Sequence, residues 1–103
     1  MDKELFFEVI TPLNVKVRTT KKYWDYIVRV KHRPMKNKEH IVKETLSNPE
    51  EIYKSKIDQT VYLYYRQFDK MYCVLAKQIG EAGFLITAYP TDKIKEGERI
   101  WKK

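Results

Sequence analysis

From Thr60 onward the chain alternates its residue types in three short bursts, and this constrains its fold more than any other feature. Val61, Leu63 and Tyr65 alternate with Tyr62, Tyr64 and Arg66. Met71, Cys73 and Leu75 alternate with Tyr72, Val74 and Ala76, and Phe84, Ile86 and Ala88 with Leu85, Thr87 and Tyr89. A period of two is the signature of a strand, whose successive side chains point to opposite faces. The intervening segments, 67–70 and 78–83, are too short for a crossover, so the three strands form an antiparallel meander. Arg99-Ile100-Trp101 offers a last edge strand.

The first half reads differently. Leu5–Ile10 suits a strand, Thr11–Asn14 a turn, and Val15–Arg18 a half-exposed strand, so an N-terminal β-hairpin is open to the chain. Tyr23–Lys31 fits two periods. Trp24, Tyr26, Val28 and Val30 alternate, whereas Tyr23, Ile27 and Val30 make a helical stripe that Thr20 can cap and Pro34 can stop. Residues 37–46 are clearer. Ile41, Val42, Thr45 and Leu46 share a helix face, and Glu39 precedes Lys43 by the favourable four residues. Asn48, Pro49 and Glu51 then have the spacing of a second, capped helical turn. The expected architecture is α+β, with N-terminal helices packed on one face of an antiparallel sheet of about four strands. The other face is left for a ligand. With 103 residues and no linker or repeat, the whole of 1–103 forms one domain.

Charge and cysteine content narrow the function. The 21 Lys and Arg against 14 Asp and Glu give a net charge of +7, which favours an anionic partner such as RNA. Cys73 is the single cysteine, so an intramolecular disulfide is excluded and a Cys-based zinc site nearly so. No cofactor motif is present, and there is no Gly-rich phosphate loop, nucleophile elbow or HExxH. No apolar run approaches the ~20 residues of a membrane span. Leu5-Phe6-Phe7 is too short for a signal peptide, so the expected location is cytoplasmic.

Three features can carry chemistry. His32, in Lys31-His32-Arg33-Pro34, is a candidate acid or base, or a cation at a helix C-terminus. Tyr62, Tyr64 and Arg66 share a strand face that either stacks on single-stranded RNA or reflects the strand propensity of Tyr. Thr87 and Tyr89 stand near a strand end closed by Pro90. His40 and the Glu50-Glu51 pair read as a solvated helix position and a helix start.

Taken in order, His32-Arg33-Pro34, Thr45-Leu46-Ser47-Asn48-Pro49-Glu50, Ser55, Tyr64-Tyr65-Arg66, Lys77 and Gly83 to Tyr89 form a pattern. It resembles the small nuclease-like domains of phages and mobile elements grouped with barnase, EndoU, the colicin-type tRNA nucleases and RelE (the BECR fold). The resemblance covers about residues 20–101, within a nuclease-like core of 20–103, and leaves the N-terminal strands of 1–19 outside. It implies helices on a four-stranded antiparallel sheet and a helical Tyr23–Lys31. It also implies metal-independent RNA cleavage by attack of the ribose 2′-OH on the adjacent phosphate. On this resemblance His32 is the acid or base, and Arg66 and Lys77 stabilise phosphate charge. Ser55, Thr87 and Tyr89 hold the phosphate or ribose, while Lys31, Arg33 and Lys36 supply attraction. Tyr64 belongs to the RNA-binding face. No metal is implied. The partners implied are RNA and, for a toxin, an acidic antitoxin that covers the cleft. Two other readings remain: an RNA-binding module without catalysis, and a protein-interaction domain whose charge serves solubility.

Overall fold

Seven strands form one sheet in the computed structural model, which describes residues 4–94 and 97–103. In chain order the strands are β1 (Leu5–Ile10), β2 (Lys16–Thr20), β3 (Glu51–Lys54), β4 (Val61–Gln67), β5 (Met71–Ile79), β6 (Ala82–Thr91) and β7 (Glu98–Lys102). The spatial order is β1-β2-β6-β5-β4-β3-β7. Helix α1 (Lys21–Tyr26) follows β2 directly, and α2 (Glu39–Ser47) precedes β3. Between the helices lie a π-helical turn, Ile27–Lys31, and a 3-10 turn, Arg33–Met35.

The expectation of about four antiparallel strands under N-terminal helices is overturned. This is an α+β domain with a seven-stranded mixed sheet, in which β2 and β6 run parallel. Among the described residues its α-helices are short, six residues for α1 and nine for α2. Two local causes explain the difference. The β1–β2 hairpin does not stand apart but joins the sheet through β2, pairing Val17 with Gly83 and Arg18 with Phe84. Residues 51–54 form a strand and not a second helical turn, because β4 and β7 pair with them from both sides. Asn48 caps the end of α2 instead of starting a helix.

Each local element has a visible cause. The β1–β2 turn places Asn14 at φ 65°, a left-handed conformation that Asn tolerates, and Thr11 Oγ1 accepts from Leu13 N. Helix α1 starts where Thr20 Oγ1 accepts from Tyr23 N at 3.1 Å. The chain then widens into the π turn, closed by His32 N donating to Ile27 O at 2.8 Å. This widening ends the helix with His32 outside the helical region, at φ −146° and ψ 89°. Such π turns recur at functional positions.

The main core lies on the face covered by α2. Ile52, Tyr64, Val74 and Ala88 form one transverse row across four strands, every member fully buried. Val42 and Leu46 of α2, with Ile27 and Met35 from the turns, belong to the same cluster. The Tyr64 hydroxyl donates to the buried Gln78 Oε1. A second, smaller cluster of Leu63, Tyr65 and Cys73 lies on the opposite face, with Tyr53, Leu75, Tyr89 and Ile94 packed around it.

Burial pushes the Tyr64 hydroxyl up to about 12, against a hydrogen bond with Thr11 that lowers it. Its unfolded value is near 10, so the folded state keeps a proton that the unfolded state releases. The stability this gives is whole below pH 10 and lost as the pH rises through 12. Urea midpoints are expected to hold up to pH 9.5 and to fall steeply above pH 10. Tyr64→Phe should flatten that fall.

Candidate functional site

The two faces of the sheet separate the residues that the sequence grouped. Tyr64 and Arg66 point to the helix-covered face. Tyr64 is fully buried there, so it is a core residue and not part of an RNA-binding platform. Arg66 Nη1 donates to Asn48 O at 2.8 Å, and its Nη2 lies 4.0 Å from Glu44 Oε2. Its guanidinium also sits 5.3 Å from the centre of the Phe68 ring. Arg66 therefore ties β4 to the end of α2. Arg66→Ala is expected to lower unfolding stability by about 1–2 kcal/mol through the lost charge-assisted bond. RNA affinity, measured by fluorescence anisotropy, should change less than twofold.

The opposite face gathers the others. Its residues fall into transverse rows set by the register. Tyr89, Cys73, Tyr65 and Glu51 form one row, and Thr87, Leu75, Leu63 and Tyr53 the next. Phe84, Lys77 and Val61 form a third. Lys77 and Thr87 are diagonal neighbours on adjacent strands, about 7–8 Å apart at the backbone. Tyr53 and Tyr65 meet edge to face at 5.6 Å.

His32 reaches this face from the edge of the sheet. Strand β2 pairs with β6 only from Ala82 as far as Phe84, so among the described residues no strand lies on that side of the second half of β6. Pro90, which has no N–H, stands in this half. The segment from α1 to the 3-10 turn fills the space. Tyr23 Oη donates to Ile86 O at 2.8 Å, and Lys31 Nζ donates to the same carbonyl at 3.2 Å and to Tyr23 Oη at 3.3 Å. The Lys31 ammonium lies 5.7 Å from the ring centres of both Tyr23 and Tyr26. The next residue, His32, packs its half-buried imidazole on the Tyr89 ring, with centroids 5.0 Å apart.

A register shift opposite Leu75 and Ala76 makes Ile86 the extra residue of a bulge in β6. Bulges bend a strand and re-aim its side chains. Directly after this one comes Thr87, whose Oγ1 is buried with no hydrogen-bond partner, in a residue 8 % exposed. A buried hydroxyl in that state is costly to leave unmet, so it suits a site that a ligand completes. Burial, with Cys73 and Tyr65 beside it, pushes the Tyr89 hydroxyl far above the ordinary tyrosine value. Tyr89 is thus a neutral phenol at physiological pH and does not act as a base.

Of the ten residues singled out in the sequence, His32, Thr87, Tyr89 and Lys31 gather at the second half of β6, and Lys77 lies on the same face opposite Phe84. Arg66 and Tyr64 lie on the other face. Ser55 is engaged in its own turn, where its Oγ accepts from the backbone N–H of Ile57 and Asp58. Arg33 and Lys36 line a hollow of about 820 Å³ between β1, α1 and the start of α2, where Asp25 and Glu39 oppose them. Sequence reasoning missed Tyr23, Arg18 and Phe84. The alternation in Val15–Arg18 already turned Arg18 outward, but nothing local tells that β2 lies beside β6. Among the described residues there is no cluster of His, Cys, Asp and Glu able to hold a metal ion. No helix of the described residues is long and apolar enough to cross a membrane. Comparison with protein-family models, curated proteins and solved structures finds no match to this chain.

Proposed function

We propose that this domain binds single-stranded RNA on the sheet face opposite α2 and cleaves it without a metal, with His32 transferring the proton. The observation that carries this reading is the packing of the His32 imidazole on Tyr89, two residues along β6 from the unmet Thr87 hydroxyl, with Lys31 next to it in the chain. An imidazole exchanges protons near neutral pH. The Thr87 hydroxyl can donate to a phosphate oxygen, and two ammonium groups, Lys31 and Lys77, stabilise the added charge of a phosphorane. In the step, the ribose 2′-oxygen loses its proton and bonds to phosphorus, the bond from phosphorus to the 5′-oxygen breaks, and that oxygen takes up a proton. The products are a 2′,3′-cyclic phosphate and a 5′-hydroxyl.

A second reading, RNA binding without cleavage, is favoured by Arg66. A guanidinium expected at the phosphate is engaged with Asn48 and Glu44 on the far face. One experiment separates the two. The purified protein is incubated with total RNA in EDTA and the fragment ends are mapped. Cyclic phosphate ends support cleavage. Salt-dependent binding with intact RNA supports the second reading, and absence of both removes RNA from consideration.

A further inference from the structure

Lys77 also belongs to a second row of side chains, in which Arg18 and Phe84 have had no role so far. Arg18 on β2, Phe84 on β6 and Lys77 on β5 are register partners, so they stand side by side on the same face. Neighbouring strands are about 4.8 Å apart, which puts the backbone positions of Arg18 and Lys77 about 10 Å from each other, with Phe84 between them. The Phe84 ring is 51 % exposed. Ile79, also exposed, lines the same cavity as Phe84, so the ring is part of an exposed apolar patch flanked by cations. The backbone beneath leaves no room for a bulkier neighbour. A Cβ on Gly83 would lie 2.9 Å from Lys77 O and 3.3 Å from Val15 Cγ1.

The row opens onto a cavity of about 410 Å³ at the point where β2 leaves β6. Arg18, Thr20, Tyr23, Lys77, Ile79 and Phe84 are among its walls. Tyr23 joins this cavity to the His32 cluster, because its hydroxyl shares Ile86 O with Lys31. Along β6, Phe84 and Thr87 are about 10 Å apart, within reach of neighbouring nucleotides on one strand. Two carboxylates temper the charge. Glu8 follows Arg18 in the same row on β1, and Lys77 helps to hold the exposed Asp58 carboxyl below its usual value, after the two hydrogen bonds with Thr60.

We propose that the Arg18–Phe84–Lys77 row is a stacking subsite for one base of a single-stranded RNA, adjacent to the nucleotide held at His32. The proposal rests on the RNA reading above. An aromatic face takes any base, and cations on both sides take the phosphates that flank it. Duplex RNA buries its base faces and cannot use the subsite, so the row selects for single strands.

The test uses a fluorescein-labelled single-stranded RNA oligonucleotide and a duplex of the same sequence, both in EDTA. Phe84→Ala should weaken single-strand binding by about 5- to 150-fold, and Phe84→Trp should restore it. The slope of log affinity against log salt should stay unchanged in Phe84→Ala and fall by about 0.7 in Arg18→Gln. Glu8→Gln should tighten binding. Phe84 is half exposed, so circular dichroism spectra of its variants should match the parent. Single-strand binding unchanged in Phe84→Ala overturns the subsite while leaving the RNA reading in place. Failure of the parent protein to bind the oligonucleotide at low salt overturns both.

Discussion

His32→Ala is expected to lower RNA cleavage by about 10²–10⁴-fold, the range for loss of a general acid or base. The argument is geometric. The ring stands at the end of the π turn, half-buried and packed on Tyr89, outside both buried clusters. Its removal leaves the main core and the Tyr64–Gln78 bond intact, so the thermal midpoint should move by a few degrees at most. Single-turnover cleavage against pH provides a second readout. The parent should show a pH-dependent limb that the variant lacks, since removing the imidazole removes the group proposed to transfer the proton. An unchanged rate and profile in the variant would remove His32 from the chemistry.

The second large effect concerns stability. Tyr64→Ala removes a fully buried ring from the middle of the transverse core row and takes away the partner of the buried Gln78. Loss of a large buried side chain costs about 3–5 kcal/mol. A domain of this size has on the order of 5–15 kcal/mol in total, so the variant should be largely or partly unfolded at 37 °C. Tyr64→Phe keeps the ring and strands the amide, which costs about 1–3 kcal/mol. Urea unfolding measures both. RNA affinity of Tyr64→Phe should equal that of the parent, because Tyr64 is buried on the face opposite the proposed RNA site. A variant with parent stability and weakened RNA binding would reverse the assignment of the two faces.

Those faces show what the sequence could and could not convey. Alternation correctly put Tyr62, Tyr64 and Arg66 on one side of β4, since a period of two is a local property. It could not tell which side α2 covers. That depends on the apolar stripe Ile41, Val42, Thr45 and Leu46 finding the row through Tyr64, a contact between distant segments. For the same reason the hairpin 5–20 was visible while its parallel docking on β6 was not. The strand 51–54 was hidden by capping residues, Asn48 and Pro49, that suit a turn as well as a helix start. His32, Thr87 and Tyr89 were legible as residue types. Their meeting was not, because it depends on the bulge at Ile86 and the widened turn at Ile27–Lys31.

The parallel pairing of β2 with β6 has a kinetic consequence. Arg18 and Phe84 are more than sixty residues apart in the chain. Closing so long a loop costs entropy before any contact repays it, which places this pairing among the slow steps of folding. The segment carrying Lys31 and His32 leaves directly from β2, so it takes its place beside Ile86 only after that closure. A partly made chain lacking β6 lacks the Tyr89 ring on which His32 packs, and the assembled face emerges only when both halves of the sheet have met.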